Sequence, residues 1–224
     1  MIVAKYRKSE LISNYTILTI LALTCILPIL LLFFNSVKPQ EEFGINPLGF
    51  PNTVRFANFV DAWFIGEYAQ IFLNSSKLVI GTLILNLTVS GLAGFSLAKL
   101  YPRGSNVFLV YLLVGVSIPA QMFILPLFLM WKELNLMNTH LGLIIIYAGL
   151  NAPFATFLIR SYMIQLPDEL FDAAKIDGAN TLQLFYRIAL PISWPVFLTT
   201  GLIVGLNVWN EFLFALTFVH DDAK

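Results

Sequence analysis

The chain of 224 residues is 58% hydrophobic and only 12% charged, and its formal net charge is zero. Its mean hydropathy is +0.80. A soluble domain is about 25% charged, so this composition cannot cover a water-soluble core and implies an integral membrane protein. The balanced charge gives no bulk attraction for nucleic acid. The single cysteine, Cys25, lies in an apolar run and excludes an intrachain disulfide.

Lys5, Arg7 and Lys8 precede a first apolar run, Tyr15 to Phe34. That run exceeds the h-region of about 7–15 residues in a secretion signal, and no small-x-small cleavage site follows it. It is read as an uncleaved span. A polar segment, Ser36 to Lys77, follows. Its first part, with Pro39, Gly44, Pro47, Gly49 and Pro51, reads as loop. Its second part, from Phe56 to Phe72, is aromatic and suits a short interfacial helix.

The second span is Leu78 to Ala98, bounded by Lys77 and Lys99. The third lies within Asn106 to Trp131, which carries no charge, and the fourth within Asn138 to Ile159, closed by Arg160. The fifth starts near Ile192 and runs to about Asn210, or on to Leu216. Each is near the length of about 20 apolar residues that crosses a bilayer as a helix. Barrel strands would instead alternate over about 10 residues.

Positive charge orients the spans. Lys5, Arg7, Lys8, Lys99, Arg103, Arg160, Lys175 and Arg187 fall on one side, predicted to be the cytoplasm. Lys38, Arg55, Lys77, Lys132 and Lys224 fall on the other, offset by Glu41, Glu42, Asp61, Glu67, Glu133, Asp221 and Asp222. The N-terminus is therefore expected inside, with segment 36–77 external.

Between the last two spans lies a polar, helix-forming island, Leu166 to Pro191. Pro167 suits a first helical turn, where a missing N–H costs nothing. Asp168 and Glu169 favour the positive helix end, and Lys175 the negative one. Gly178 fits a C′ position that needs positive φ. Asn180, with Gln183 three residues on, has capping-box spacing. The second helix is expected to place Leu182, Phe185 and Ile188 on one side and to end near Pro191.

The run Asp172-Ala173-Ala174-Lys175-Ile176-Asp177-Gly178-Ala179, followed by Leu190-Pro191, resembles the EAA loop of carbohydrate-uptake ABC permeases of the maltose-permease type. Asp172 stands where the family usually has Glu, which keeps the charge and shortens its reach. Asn35-Ser36 with Lys38, Phe50-Pro51, Asn58-Phe59, Asn74-Ser75, Ile118-Pro119 to Pro126, and Trp209-Asn210-Glu211-Phe212 extend the likeness over the whole chain.

The resemblance implies an all-α polytopic bundle of the type I ABC importer class, one permease domain over 1–224. It implies a cytoplasmic tail at 1–14, an external segment at 36–77 and a cytoplasmic coupling loop at 161–191. Asp172, Ala173, Ala174, Lys175, Asp177, Gly178 and Ala179 would then meet an ATPase. The implied partners are a second permease, an ABC ATPase dimer, an external sugar-binding protein and membrane lipid, in a bacterial or archaeal cell membrane. Family members usually have six spans, so a sixth is expected beyond Lys224.

Three function classes compete. A permease driven by a separate ATPase agrees with the lack of a G-x-x-x-x-G-K-[ST] phosphate loop. A secondary transporter would place acids near mid-membrane, and Glu211 near the end of the fifth span is the one candidate. A membrane enzyme finds no metal-ligand spacing and no nucleophile–base pair, because His140 and His220 are far apart. No cofactor is expected in this chain. Gln121, Tyr147, Asn151, Asn207 and Asn210 are candidates for a sugar path, with Asn86 and Trp209 nearby in the same spans. For each, the plainer reading is hydrogen-bonding between helices.

Overall fold

A computed structural model describes residues 8–220, with side-chain environments from residue 11. Lys5, Arg7, Asp221, Asp222, Lys224 and the side chain of Lys8, used above for orientation, lie outside that range. Among the described residues all regular elements are helical. The chain divides into two compact units, residues 1–70 and 71–224.

In the first unit, α1 (Lys8–Ser36) is apolar over most of its length after a polar first turn and carries Pro28 inside it. The polar segment that follows is knitted together rather than loose. Lys38 is buried, and its ammonium donates to Asn35 Oδ1 at 2.9 Å and to the carbonyls of Asn46 and Gly49 at 2.6 and 2.8 Å. Asn58 Nδ2 donates to the carbonyls of Ser36 and Lys38 at 3.0 and 2.7 Å. The stretch expected to be loop contains a short helix, α2 (Gln40–Ile45). Pro39 presets its entry, and Glu41 and Glu42 sit in its first turn, where the helix dipole favours acids. The expected aromatic helix is α3 (Ala57–Ile65).

Helix α4 (Tyr68–Phe95) begins well before the apolar boundary at Leu78, since nothing between Tyr68 and Lys77 breaks a helix. It runs into a π-helical turn, Ser96–Leu100, which ends at Tyr101 with φ +46°.

The third apolar run is not one rod. Helix α5 (Ser105–Ser117) ends at Ile118, which is extended because Pro119 follows. A 3₁₀ turn (Ala120–Phe123) then leads into α6 (Ile124–Glu133), with the two halves bent by 98°. Helix α7 (His140–Met163) is continuous despite Pro153, and Thr139 Oγ1 caps its start by accepting from the Gly142 N–H.

The polar island forms α8 (Asp168–Ile176) and α9 (Thr181–Leu184). The latter continues through a π-helical turn (Phe185–Ala189) and α10 (Leu190–Ile192). After a 78° bend at Ser193, α11 (Trp194–Trp209) makes the fifth apolar helix, and α12 (Leu213–Phe218) follows. Pro195 explains the bend, because it has no N–H to continue the incoming ladder. Among the described residues, three helices are unbroken and long enough to span, and the two bent pairs account for the other two apolar runs.

Helix α7 is the axis of the second unit. Asn86 on α4 donates to the Ala148 carbonyl at 2.8 Å and Ser90 to the Ala152 carbonyl at 3.4 Å. At Gly94 an added Cβ would stand 3.1 Å from Ile159 and 3.2 Å from the Arg160 nitrogen, so the helices meet backbone to backbone. In lipid, close packing and such hydrogen bonds replace hydrophobic drive. One core, around Phe95, Ile159, Met163 and Phe185, lies at the end that carries α8. A second, around Trp131, Tyr147, Val204, Phe214 and Phe218, contains α12.

Candidate functional site

The island closes on itself through local chemistry. Helix α8 starts after Pro167, which occupies the N-cap rather than the first turn, with φ −60° and ψ 131°. At its end the Gly178 N–H donates to the Lys175 carbonyl at 3.0 Å and the Ala179 N–H to the Ala174 carbonyl at 2.9 Å. These are the two bonds of a Schellman stop. They require a left-handed residue between them, and Gly178 has φ +83°. The next helix opens with a full capping box. Gln183 N–H donates to Asn180 Oδ1 at 2.9 Å, and Asn180 N–H to Gln183 Oε1 at 2.8 Å.

The hairpin has an inner and an outer face. Phe171 is buried, its ring centroid 6.0 Å from that of Phe95, which lies 5.6 Å from Phe185. Ala174 and Ala179 are partly buried and pack on the same core. Asp172, Ala173, Lys175, Asp177 and Gly178 are exposed, and Lys175 Nζ pairs with Asp172 Oδ1 at 2.9 Å. Ile176 is 87% exposed, an apolar side chain on the outer face that the motif reading passed over. Its signal was an isoleucine between two charged residues, Lys175 and Asp177. The expected face of the second helix also shifts. Phe185 and Ile188 pack inward, but Leu182 is exposed and Leu184 is buried in its place. The π-helical turn widens the helix there and changes its phase.

Of the polar residues in the spans, some converge and others do not. Tyr147 Oη donates to Glu211 Oε2 at 2.7 Å. Asn151 Nδ2 donates to the Tyr147 carbonyl at 2.9 Å, and Asn207 Nδ2 to Asn151 Oδ1 at 3.3 Å. Asn210 bonds back to its own helix, at the Leu206 carbonyl. Trp209 stacks edge-on against Phe72, with centroids 5.5 Å apart. Gln121 is exposed in the 3₁₀ turn and outside this hydrogen-bonded set, and Asn86 is buried between α4 and α7. Glu211 holds the cluster together. Its Oε1 accepts from the Phe214 N–H at 2.9 Å and its Oε2 from the Ala215 N–H at 3.2 Å, so it caps α12 while binding Tyr147 on α7.

A family model described as "Binding-protein-dependent transport system inner membrane component" matches residues 90–221. The chain is 33% identical over 195 residues to the probable ABC transporter permease protein YurM of Bacillus subtilis (strain 168), covering 87% of this chain and 65% of that protein. It is 34% identical to the arabinooligosaccharides transport system permease protein AraQ of Halalkalibacterium halodurans, over 90% of this chain and 73% of that one. Among solved structures it shares the fold of a chain from a bacterial ABC transporter involved in the import of the acidic polysaccharide alginate. There the TM-score is 0.86 at 24% identity, over 96% of this chain and 77% of that chain.

Proposed function

The chain belongs to the family of binding-protein-dependent transport system inner membrane components, and we propose that it is a permease subunit of an ATP-driven carbohydrate importer. In this reading it forms half of a translocation pathway with a second permease. Two copies of an ABC ATPase supply the energy, and an external binding protein delivers the sugar. The hairpin of α8 and α9 is the ATPase-coupling element. The N-terminus, the Lys99–Ser105 turn and the hairpin lie in the cytoplasm.

The observation that supports this most is the division of labour on α8. Its inner face, Phe171 and Ala174, is committed to the chain's own core, while Ala173 and Ile176 point away from it. A one-turn apolar patch on a short helix beyond the spans suits insertion into a groove on a partner. Helix α8 is stopped at Gly178 by the two closing bonds to Lys175 and Ala174, and its inner face is packed on the core, so it presents that patch rigidly.

The test is co-purification. Ile176→Asp should leave membrane insertion intact and abolish retention of the ATPase, whereas Glu169→Gln, an exposed change on the same helix outside the coupling set, should retain it. Normal retention and normal binding-protein-stimulated hydrolysis by Ile176→Asp would overturn the coupling assignment. Sidedness is tested separately in a Cys25→Ala background. Cysteines at Ser105 and Thr181 are expected to label only from the inside, and labelling from outside in intact cells would reverse the topology.

A further inference from the structure

Lys99 was read from the sequence as a boundary charge, yet its side chain is only 4% exposed. Its ammonium donates to the Leu166 carbonyl at 2.6 Å and to Asp168 Oδ1 at 2.6 Å, with the Ile164 carbonyl at 3.5 Å. It also sits 5.3 Å from the centroid of the Phe171 ring. These partners span the end of α7, the turn after it and the first residues of α8. The reverse tie also exists: Arg160 Nε on α7 donates to the Leu97 carbonyl of the π-helical turn at 3.3 Å. The ends of α4 and α7 thus exchange cations for carbonyls, and α8 starts at the junction.

The backbone at that junction supports the geometry. Phe95 precedes the π-helical turn and Lys99 lies within it, and both reach Phe171. Phe185, which contacts Phe95, opens the other π-helical turn. The inner face of α8 is therefore held by two locally widened helices, a geometry that recurs where helices carry function. Phe171 supplies the apolar contact. Among the described residues, Lys99 supplies the charged group that binds both the turn before α8 and its first residue. Burying an ammonium requires that its donors be met, and here two carbonyls and a carboxylate meet them.

We propose that Lys99 is the positioning residue that fixes α8 to the membrane bundle, bracing the turn between α7 and α8 so that movement of α4 and α7 reaches the coupling helix. The proposal rests on the reading of α8 as the coupling element. A lysine serves here because its apolar stem crosses the core while its head reaches the polar turn.

The experiment uses the complete transporter, purified with its ATPase and binding protein, and the variants Lys99→Met, Lys99→Arg and Asp168→Asn. The expected result for Lys99→Met is retained ATPase with binding-protein-stimulated ATP hydrolysis lowered on the order of tenfold, the cost of losing a charge-assisted hydrogen bond. Amide exchange in Phe171–Ile176 should rise by a similar factor. Lys99→Arg should restore most of both, and Asp168→Asn should show a smaller rise in exchange. Exchange and stimulation within about twofold of the unaltered protein in Lys99→Met would overturn the proposal. Faster exchange with full stimulation would also overturn it, because Lys99 would then be structural only. If Lys99→Met fails to accumulate, exchange in Asp168→Asn decides, and an unchanged α8 refutes the bracing. If the unaltered protein does not retain its ATPase, the coupling assignment fails instead, while the exchange measurement still reads Lys99.

Discussion

Gly178 offers a clean separation of backbone strain from steric clash. Its φ is +83°, and a Cβ built on it meets nothing within 4 Å. Any penalty for a side chain there must come from the left-handed conformation itself. For a residue with a Cβ that costs about 1–2 kcal/mol. Removing a glycine also restricts the unfolded chain, which returns roughly 0.4–1 kcal/mol. Gly178→Ala is therefore predicted to cost a net of about 1 kcal/mol, close to fivefold in the open fraction of the hairpin. Gly178→Val adds β-branching and should reach about 1–3 kcal/mol. Gly178→Asn should cost less than either, because asparagine visits this region readily.

The assay is amide exchange at Gly178 or its replacement and at Ala179, whose N–H groups make the closing bonds to Lys175 and Ala174. The order Val, Ala, Asn, Gly in exchange rate is the expected outcome. Retention of the ATPase should fall in the same order if hairpin geometry sets the coupling surface. If Asn is as damaging as Val, or if Ala and Val match the unaltered protein, the φ-based account is refuted.

Three further predictions rest on single contacts. Phe171→Ala should cost about 3–5 kcal/mol, the usual range for emptying a buried aromatic site, and thermal unfolding with limited proteolysis would show α8 released before the spans. Glu42 accepts from the Asn52 N–H at 2.6 Å and from Thr53, and the Asn52 bond above all holds its carboxyl below the ordinary 4.5 despite a smaller opposing effect of desolvation. Because the folded value is depressed, its contribution is present above the unfolded value and is lost as pH falls below 4.5 through the folded value. Proteolysis of segment 39–53 should therefore accelerate on acidification, and Glu42→Gln should abolish that dependence. Tyr147→Phe removes one hydrogen bond to a carboxylate and should cost about 1.5–3 kcal/mol, read as faster exchange at Phe214 and Ala215, while Tyr147→Phe/Glu211→Gln should cost less than the sum of the single changes.

The apolar runs were legible because the bilayer sets a length that any spanning helix must reach, and all five runs recur as helices or bent pairs. The bends were not legible in advance. Pro119 and Pro195 break their helices, whereas Pro28 and Pro153 sit inside continuous ones. A proline inside a helix removes one hydrogen bond, and the surrounding packing decides whether the chain turns. The caps of the hairpin were legible because each depends on residues within a few positions of one another, Asn180 with Gln183 and Gly178 with Lys175. The buried face of the second helix was not, since assigning it assumed an α-helical period through Phe185–Ala189.

Pairing across the bundle is the least local property and was the least legible. Tyr147 and Glu211 are 64 residues apart, and Lys99 and Asp168 are 69 apart. Each stands out as a polar group at the edge of apolar sequence, but nothing nearby names its partner. In a soluble core such a group would be expensive and its pairing strongly implied. At the end of a span, water and lipid headgroups are always available as alternatives, so sequence permits both a solvated lysine and a buried one. What separates the two is the neighbourhood that folding supplies. The Leu166 carbonyl lies in the turn after α7 and accepts from the Lys99 ammonium, which also sits 5.3 Å from the centroid of the Phe171 ring. A cation whose head faces an aromatic ring and meets both a turn carbonyl and a carboxylate has more to gain from burial than from solvation. That condition makes Lys99 part of the joint between the spans and α8, whereas Lys175, with only Asp172 to pair with in the open, remains a surface charge.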